Sequence, residues 1–284
     1  MKKVSSDKIT LNVDELDRQT RQTIKEECYK LNFSEIEVNK KLNAAGVPNV
    51  LTSFASKLPT KDSEEITKFK LYIKYQEGLN LDDYAKRCRD AKLRSFIPEK
   101  DIQTIFRDIA MALKGIHTER IIFRDLNPAN VMVYINDKDE LHAKIIDFGV
   151  SSLQKYANTD VGDSNYKAPE MVACMGNSSY SKSVDIYSFG RTLYYTITAR
   201  TPNDLLEING EDGLSLDIID ILEGCIQIDS KMRFSSFDEI LTHPFFLSKF
   251  TNRMVCKSII ICAKCRSFHE KYRTMQDIKK MNSE

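Results

Sequence analysis

The chain has no glycine before Gly46, so nothing ahead of that point can form a glycine-rich turn that wraps backbone around a phosphate. It also lacks an excess of either charge: 42 basic residues stand against 41 acidic ones, a formal net charge of +1. No global field then selects nucleic acid or an anionic membrane as the partner. The opening stretch from Met1 to Thr10 has no apolar segment of the kind a secretory signal needs. The most apolar short run, Ser258 to Ala263, is far too short to span a bilayer. Seven cysteines, an odd number spread through the chain, argue against a disulfide framework and for free thiols in a reducing compartment. The expected address is the cytosol or nucleus, with the cytoplasm preferred. Internal repeats and low-complexity linkers are also missing.

What is present is the balance of an ordinary globular protein: 284 residues, 42% hydrophobic and 29% charged. Ile9, Leu11 and Val13 alternate with polar residues, a short strand pattern over Lys8 to Val13. The charged stretch from Asp14 to Lys30 reads as helix. Ser34 is placed to cap a further helix through Ile36, Val38 and Leu42, which Gly46 and Pro48 close. Phe69, Leu71, Ile73 and Tyr75 alternate as a half-buried strand. From about Ile97 the pattern turns helical, with Ile102, Ile105, Phe106, Ile109, Leu113 and Ile116 on one face. Two strand-like stretches, Ala129 to Tyr134 and His142 to Ile146, flank an acidic turn from Asn136 to Glu140. Helical patterns resume near Val184 and Leu216, and this region ends at His243 to Phe246. A strand-rich front and a helix-rich back predict an α+β fold of two unequal lobes.

Three short segments carry the chemistry. Phe123-Arg124-Asp125-Leu126-Asn127-Pro128-Ala129-Asn130 follows the amphipathic helix and runs into a strand. Asp147-Phe148-Gly149 comes 17 positions after Asn130, and Ala168-Pro169-Glu170 stands beyond it. In this order and spacing they resemble the catalytic loop, magnesium-binding loop and activation-segment end of eukaryotic-type protein kinases. Pro128 and the stretch from Gly162 to Tyr166 resemble the serine/threonine branch.

The resemblance implies a bilobal protein-kinase-like fold with a reduced, strand-rich N-lobe and a mainly helical C-lobe. Residues 1–73 would be the partial N-lobe, 74–249 the hinge and C-lobe, and 250–284 a basic tail. It implies ATP and Mg2+ as cofactors and a protein substrate or partner. Asp125 would accept the substrate hydroxyl proton, and Asn130 and Asp147 would hold magnesium through hard oxygen ligands. Phe148 would pack inward, and Gly149 would let the loop turn beyond Asp147. Ile73, Lys74 and Gln76 would form the gatekeeper and hinge against adenine. Asp185 would bind catalytic-loop backbone groups, and Arg233 would pair with Glu170. Arg124 would dock a phosphate carried by Ser151, Ser152, Tyr156, Thr159 or Ser164.

The front of the pattern departs from the family. Glu35 matches the helix glutamate that normally pairs a strand lysine. Lys2 is the best candidate for that lysine, with Lys25 behind it, and no G-x-G-x-x-G lies ahead of Glu35. Either the chain is truncated at its front or the domain keeps its fold for binding. At the catalytic centre Asn127 replaces the family's lysine and Asp163 its threonine, and both changes disfavour an anionic transition state. Asn39 is polar where the family places an apolar residue, whereas Phe123 for the usual histidine is a mild change.

Beyond Phe246 the resemblance ends. Arg253, Lys257, Lys264, Arg266, Lys271, Arg273, Lys279 and Lys280 interleave with apolar residues, as in a basic amphipathic helix suited to a partner or an acidic surface. Cys256, Cys262, Cys265 and His269 match no common four-ligand zinc spacing, so free thiols are expected there.

Overall fold

The computed structural model describes residues 34–57, 70–90, 97–153, 157, 159–173, 179–198 and 215–247. The patterns read at Lys8 to Val13 and Asp14 to Lys30, the residues Lys2 and Lys25, and the tail with its cysteines lie outside the described residues.

Helix α1 covers 34–44 and turns Val38 and Leu42, both fully buried, into the main core. Ser34 is already helical rather than flanking the helix, so it is not the cap that its hydroxyl and position predict. Gly46, at φ 61°, ends the helix, and Val47 then meets the backbone of Gly115 so closely that a Cβ there would lie 2.5 Å from Val47 Cγ1. Strands β1 (Ser53–Lys57) and β2 (Lys70–Ile73) pair antiparallel, with Ser53 opposite Ile73. Strand β2 falls within the alternating stretch from Phe69 to Tyr75.

A second sheet runs β3 (Leu79–Asn80), β4 (Val131–Ile135), β5 (Leu141–Ile145), all antiparallel. The β4–β5 hairpin closes through Asn136, whose Oδ1 accepts from the backbone N–H groups of Lys138 and Glu140, each at 2.9 Å. Ala129 and Asn130, read as the start of a strand, instead lie in a single 3₁₀ turn, Pro128–Asn130. Pro128 supports that turn by fixing φ at its first position, and Asn127 caps it by accepting from the Ala129 N–H at 3.0 Å.

Helix α2 (Leu81–Asp90) and α3 (Glu99–Thr118) follow β3 in the chain. The apolar face of α3 is buried as its spacing predicts, and α5 (Ser183–Thr198) crosses behind it. Phe106, Phe189 and Phe237 meet edge to face at 5.4 and 5.5 Å, locking α3, α5 and the later helices around one core. Those are α6 (Leu216–Cys225), α7 (Phe237–Leu241) and α8 (Pro244–Leu247), preceded by the four-residue α4 (Pro169–Val172). Among the described residues no helix is long and apolar enough to cross a membrane.

Candidate active site

The seam between sheet and helices collects the residues that the motifs single out. Asp125 sits in a loop leading into the 3₁₀ turn, half-buried, with both carboxylate oxygens engaged. Its Oδ1 accepts from Asn127 Nδ2 at 3.1 Å and from the Asp163 N–H at 3.0 Å; its Oδ2 accepts from Asn130 Nδ2 at 2.7 Å. Burial pushes its pKa up, partly offset by those three hydrogen bonds, while Asp147 pushes the same way as burial. The result is a carboxylate of fixed orientation and enhanced basicity.

Gly162 makes that contact possible. At φ 86°, it approaches the catalytic loop so closely that a Cβ would lie 2.6 Å from the Arg124 carbonyl and 3.1 Å from Asp125 Oδ1.

The Asp147 loop is tied to the 3₁₀ turn by a backbone hydrogen bond from Ile146 N–H to the Asn130 carbonyl, 2.9 Å. Asp147 is exposed, at φ 67°, and its Oδ1 accepts from the Gly149 N–H at 3.0 Å. Phe148 is buried and meets Phe123 edge to face at 5.6 Å, so the residue in the usual histidine's place anchors the loop by packing. The donor set suits a hard cation. Asn130 spends its amide nitrogen on Asp125, so its side-chain Oδ1 and the Asp147 carboxylate are the hard oxygen donors that such a cation would take.

Glu35 reaches the same loop from α1: a Cβ on Gly149 would lie 3.7 Å from Glu35 Oε2 and 3.2 Å from Asp147 Oδ1. Burial first, then the neighbouring Asp147, pushes the Glu35 pKa up to about 7. No cation among the described residues pairs with it, and Lys2 lies outside them.

Behind the catalytic loop, fully buried Asp185 accepts from the N–H groups of Phe123 and Arg124 at 2.9 and 2.7 Å, and bonds His117 Nε2 at 2.8 Å. The His117 contact has no short motif to reveal it; the only sequence trace is its place at the end of an amphipathic helix. Arg233, its side chain fully buried, grips Glu170 with two hydrogen bonds of 2.6 and 2.8 Å. Arg124 bonds Thr159 Oγ1 at 2.8 Å and the Tyr180 hydroxyl at 3.3 Å, while its buried Nε has no partner. Of the five acceptors read near Arg124, Ser151 and Ser152 are buried, Tyr156 lies outside the described residues, and Thr159 is the one on the guanidinium.

At the stretch expected to form the hinge, Ile73 ends β2, with Lys74 exposed and Gln76 half-buried. Lys144, which no motif marks, reaches across from β5 to Gln76 Oε1 at 2.8 Å. Burial, then Lys74, lowers the pKa of Lys144.

Comparison with known proteins agrees with this geometry. The family model described as protein kinase domain matches residues 10–246. The chain is similar to mitogen-activated protein kinase kinase 2 of Arabidopsis thaliana, 30% identical over 84% of this chain and 63% of the relative. It is 28% identical to mitogen-activated protein kinase kinase SIPKK of Nicotiana tabacum, over 78% of this chain and 63% of the relative. Against serine/threonine-protein kinase ULK3 of Xenopus laevis the identity is 29%, over 72% of this chain and 47% of the relative. The chain thus spans less than two thirds of the length of these relatives.

Proposed function

The chain belongs to the protein kinase domain family, and from that premise we propose that it moves the γ-phosphoryl group of ATP to serine or threonine hydroxyls of a protein. The observation that carries this reading is the triple hydrogen-bonded clamp on Asp125, beside Asn130 and Asp147. On this reading residues 1–73 form a partial N-lobe, 74–249 the hinge and C-lobe, and 250–284 a basic tail.

In this mechanism Asp125 orients the substrate hydroxyl and takes its proton, and its raised pKa strengthens it for that role. Asn127, Asn130 and the Asp163 N–H keep the carboxylate from rotating away. Asn130 Oδ1 and the Asp147 carboxylate would hold magnesium, and Phe148 on Phe123 keeps Asp147 forward. Bound Mg-ATP supplies the phosphoryl group and the positive charge that its oxygens need. Backbone groups of Lys74 and Gln76 would meet the adenine edge, with Ile73 behind it.

A second reading, a binding module with weak turnover, is favoured by one feature of the charge layout. Asn127 is neutral, Asp163 adds an exposed carboxylate, and Glu35 has no cation among the described residues.

The test is a thermal melt with and without Mg-ATP, run beside a phosphotransfer assay, using Asp147→Asn as the control. Saturation at about a hundred times the dissociation constant adds roughly 2.7 kcal/mol to the folded state. A magnesium-dependent shift with phosphotransfer, both lost in Asp147→Asn, is the expected result. A shift without transfer selects the binding module. Transfer unchanged in Asp147→Asn refutes the site.

A further inference from the structure

We propose that Asn39, Asn43 and Asn49 are positioning residues that fix α1 and so set Glu35 over the Asp147 loop without needing a charge on Glu35. Asn39 and Asn43 lie one turn apart on α1 and close on the same residue of β1. The Ser53 N–H donates to Asn39 Oδ1 at 2.6 Å, and the Ser53 carbonyl accepts from Asn43 Nδ2 at 2.7 Å. Asn39 is itself locked, because its Nδ2 donates to the Glu35 carbonyl at 2.8 Å. Thr52 adds a hydroxyl hydrogen bond to Asn43 Oδ1. Asn39 is 3% exposed and Ser53 7%, so the first of these bonds forms away from water, where an unmade one is most costly.

Asn49 ties the far end of the same unit to the helical lobe. Its Nδ2 donates to Asp108 Oδ1 at 3.1 Å, and its carbonyl accepts from the Ile145 N–H at 2.9 Å. Asp108 is itself buried and also accepts from the Ala143 N–H at 3.0 Å. Val38 and Leu42 pack into the core that contains α3, and Lys41 reaches the Glu119 carbonyl at the end of that helix. Every one of these contacts is neutral or lies far from Glu35. None requires a charge on Glu35, whose carboxyl has no cation among the described residues.

The polar residue at position 39, a departure from the family pattern, thereby acquires a role: it replaces apolar wedging with a two-point hydrogen-bond clamp. The functional consequence rests on the kinase reading; the placement of α1 does not.

The experiment measures amide hydrogen exchange over 34–53 in the full chain, as wild type, Glu35→Gln, Asn39→Leu/Asn43→Ala, Asn43→Ala alone and Asn49→Ala. Exchange at Ser53 and through α1 should quicken about tenfold in the double variant and severalfold in Asn43→Ala and Asn49→Ala, yet stay within about twofold in Glu35→Gln. Asn43 is exposed, so its single variant keeps the test sound if the double variant fails to fold. The magnesium concentration that half-saturates phosphotransfer should also rise severalfold in the asparagine variants, which a smaller folded fraction would not cause. Unchanged exchange in the asparagine variants, or acceleration in Glu35→Gln as large as theirs, overturns the proposal. Absence of phosphotransfer in the wild type sinks the kinase reading alone, since exchange still decides what holds α1.

Discussion

Two acids, fully buried Asp185 behind the catalytic loop and half-buried Glu35 at the front, meet opposite treatment. Asp185 is wholly enclosed and receives three donors; Arg233 nearby is matched by both oxygens of Glu170. Glu35 is also largely withdrawn from water, but it faces another carboxylate, and its pKa climbs to about 7. The rear acids are met by donors, whereas the Glu35 carboxyl, facing Asp147, is pushed toward its neutral form. The rear of the site is therefore built with ions and the front with amides.

The sharpest way to break this contrast is to make the rear as unsatisfied as the front. Arg233→Met leaves Glu170 without its partner and should cost about 3–5 kcal/mol of stability, read by denaturant unfolding. A loss under about 1 kcal/mol would show that the pair is solvated rather than structural.

A second route adds charge complementarity to the catalytic centre itself. Asn127→Lys with Asp163→Thr supplies a cation and removes a carboxylate, and should raise phosphotransfer about a hundredfold, equivalent to about 3 kcal/mol of transition-state stabilisation. Steady-state kinetics with one protein substrate checks this. No gain would mean that the front, not residue 127, limits turnover.

The smallest effect tests the front alone. Glu35 binds its proton more tightly in the folded state, about 7 against an ordinary 4.5, so its neutral form favours folding. That contribution is complete below the ordinary value and is lost as pH rises through about 7. Without metal, wild type should lose on the order of 1–2 kcal/mol between about pH 5 and 7.5, relative to Glu35→Gln. Parallel melts across that range would show it, and coincident pH profiles would mean that a cation already neutralises Glu35.

Much of the rear was legible because its signals are local. The apolar face of α3 repeats at helical spacing, and the motifs at Asp125, Asp147 and Glu170 each sit within a few residues. Both hairpin strands could be read from their alternation, apart from Ala129 and Asn130, which Asn127 and Pro128 draw into a tight turn. Strand β1 and helix α2 gave no such signal. The first is a short stretch with few branched residues, and the second is charge-rich, with Leu81 and Ala85 fully buried. Asn39 looked like a flaw because its partner is the backbone of that unread strand. The role of an amide depends on what lies opposite, and that information is tertiary. The same holds for Lys144, whose partner Gln76 is 68 positions away.

The β4–β5 hairpin carries a consequence for how the protein folds. Asn130 lies just before its first strand and Asp147 just after its second, so a local turn at Asn136 brings them together. Short loops close fastest, and contacts between near neighbours are the first that a folding chain can make. Asn130 and Asp147 therefore meet through a closure of 17 residues, whereas Glu35 joins them only through a long-range docking of α1. Sequence distance alone predicts that the hairpin closes before the front docks.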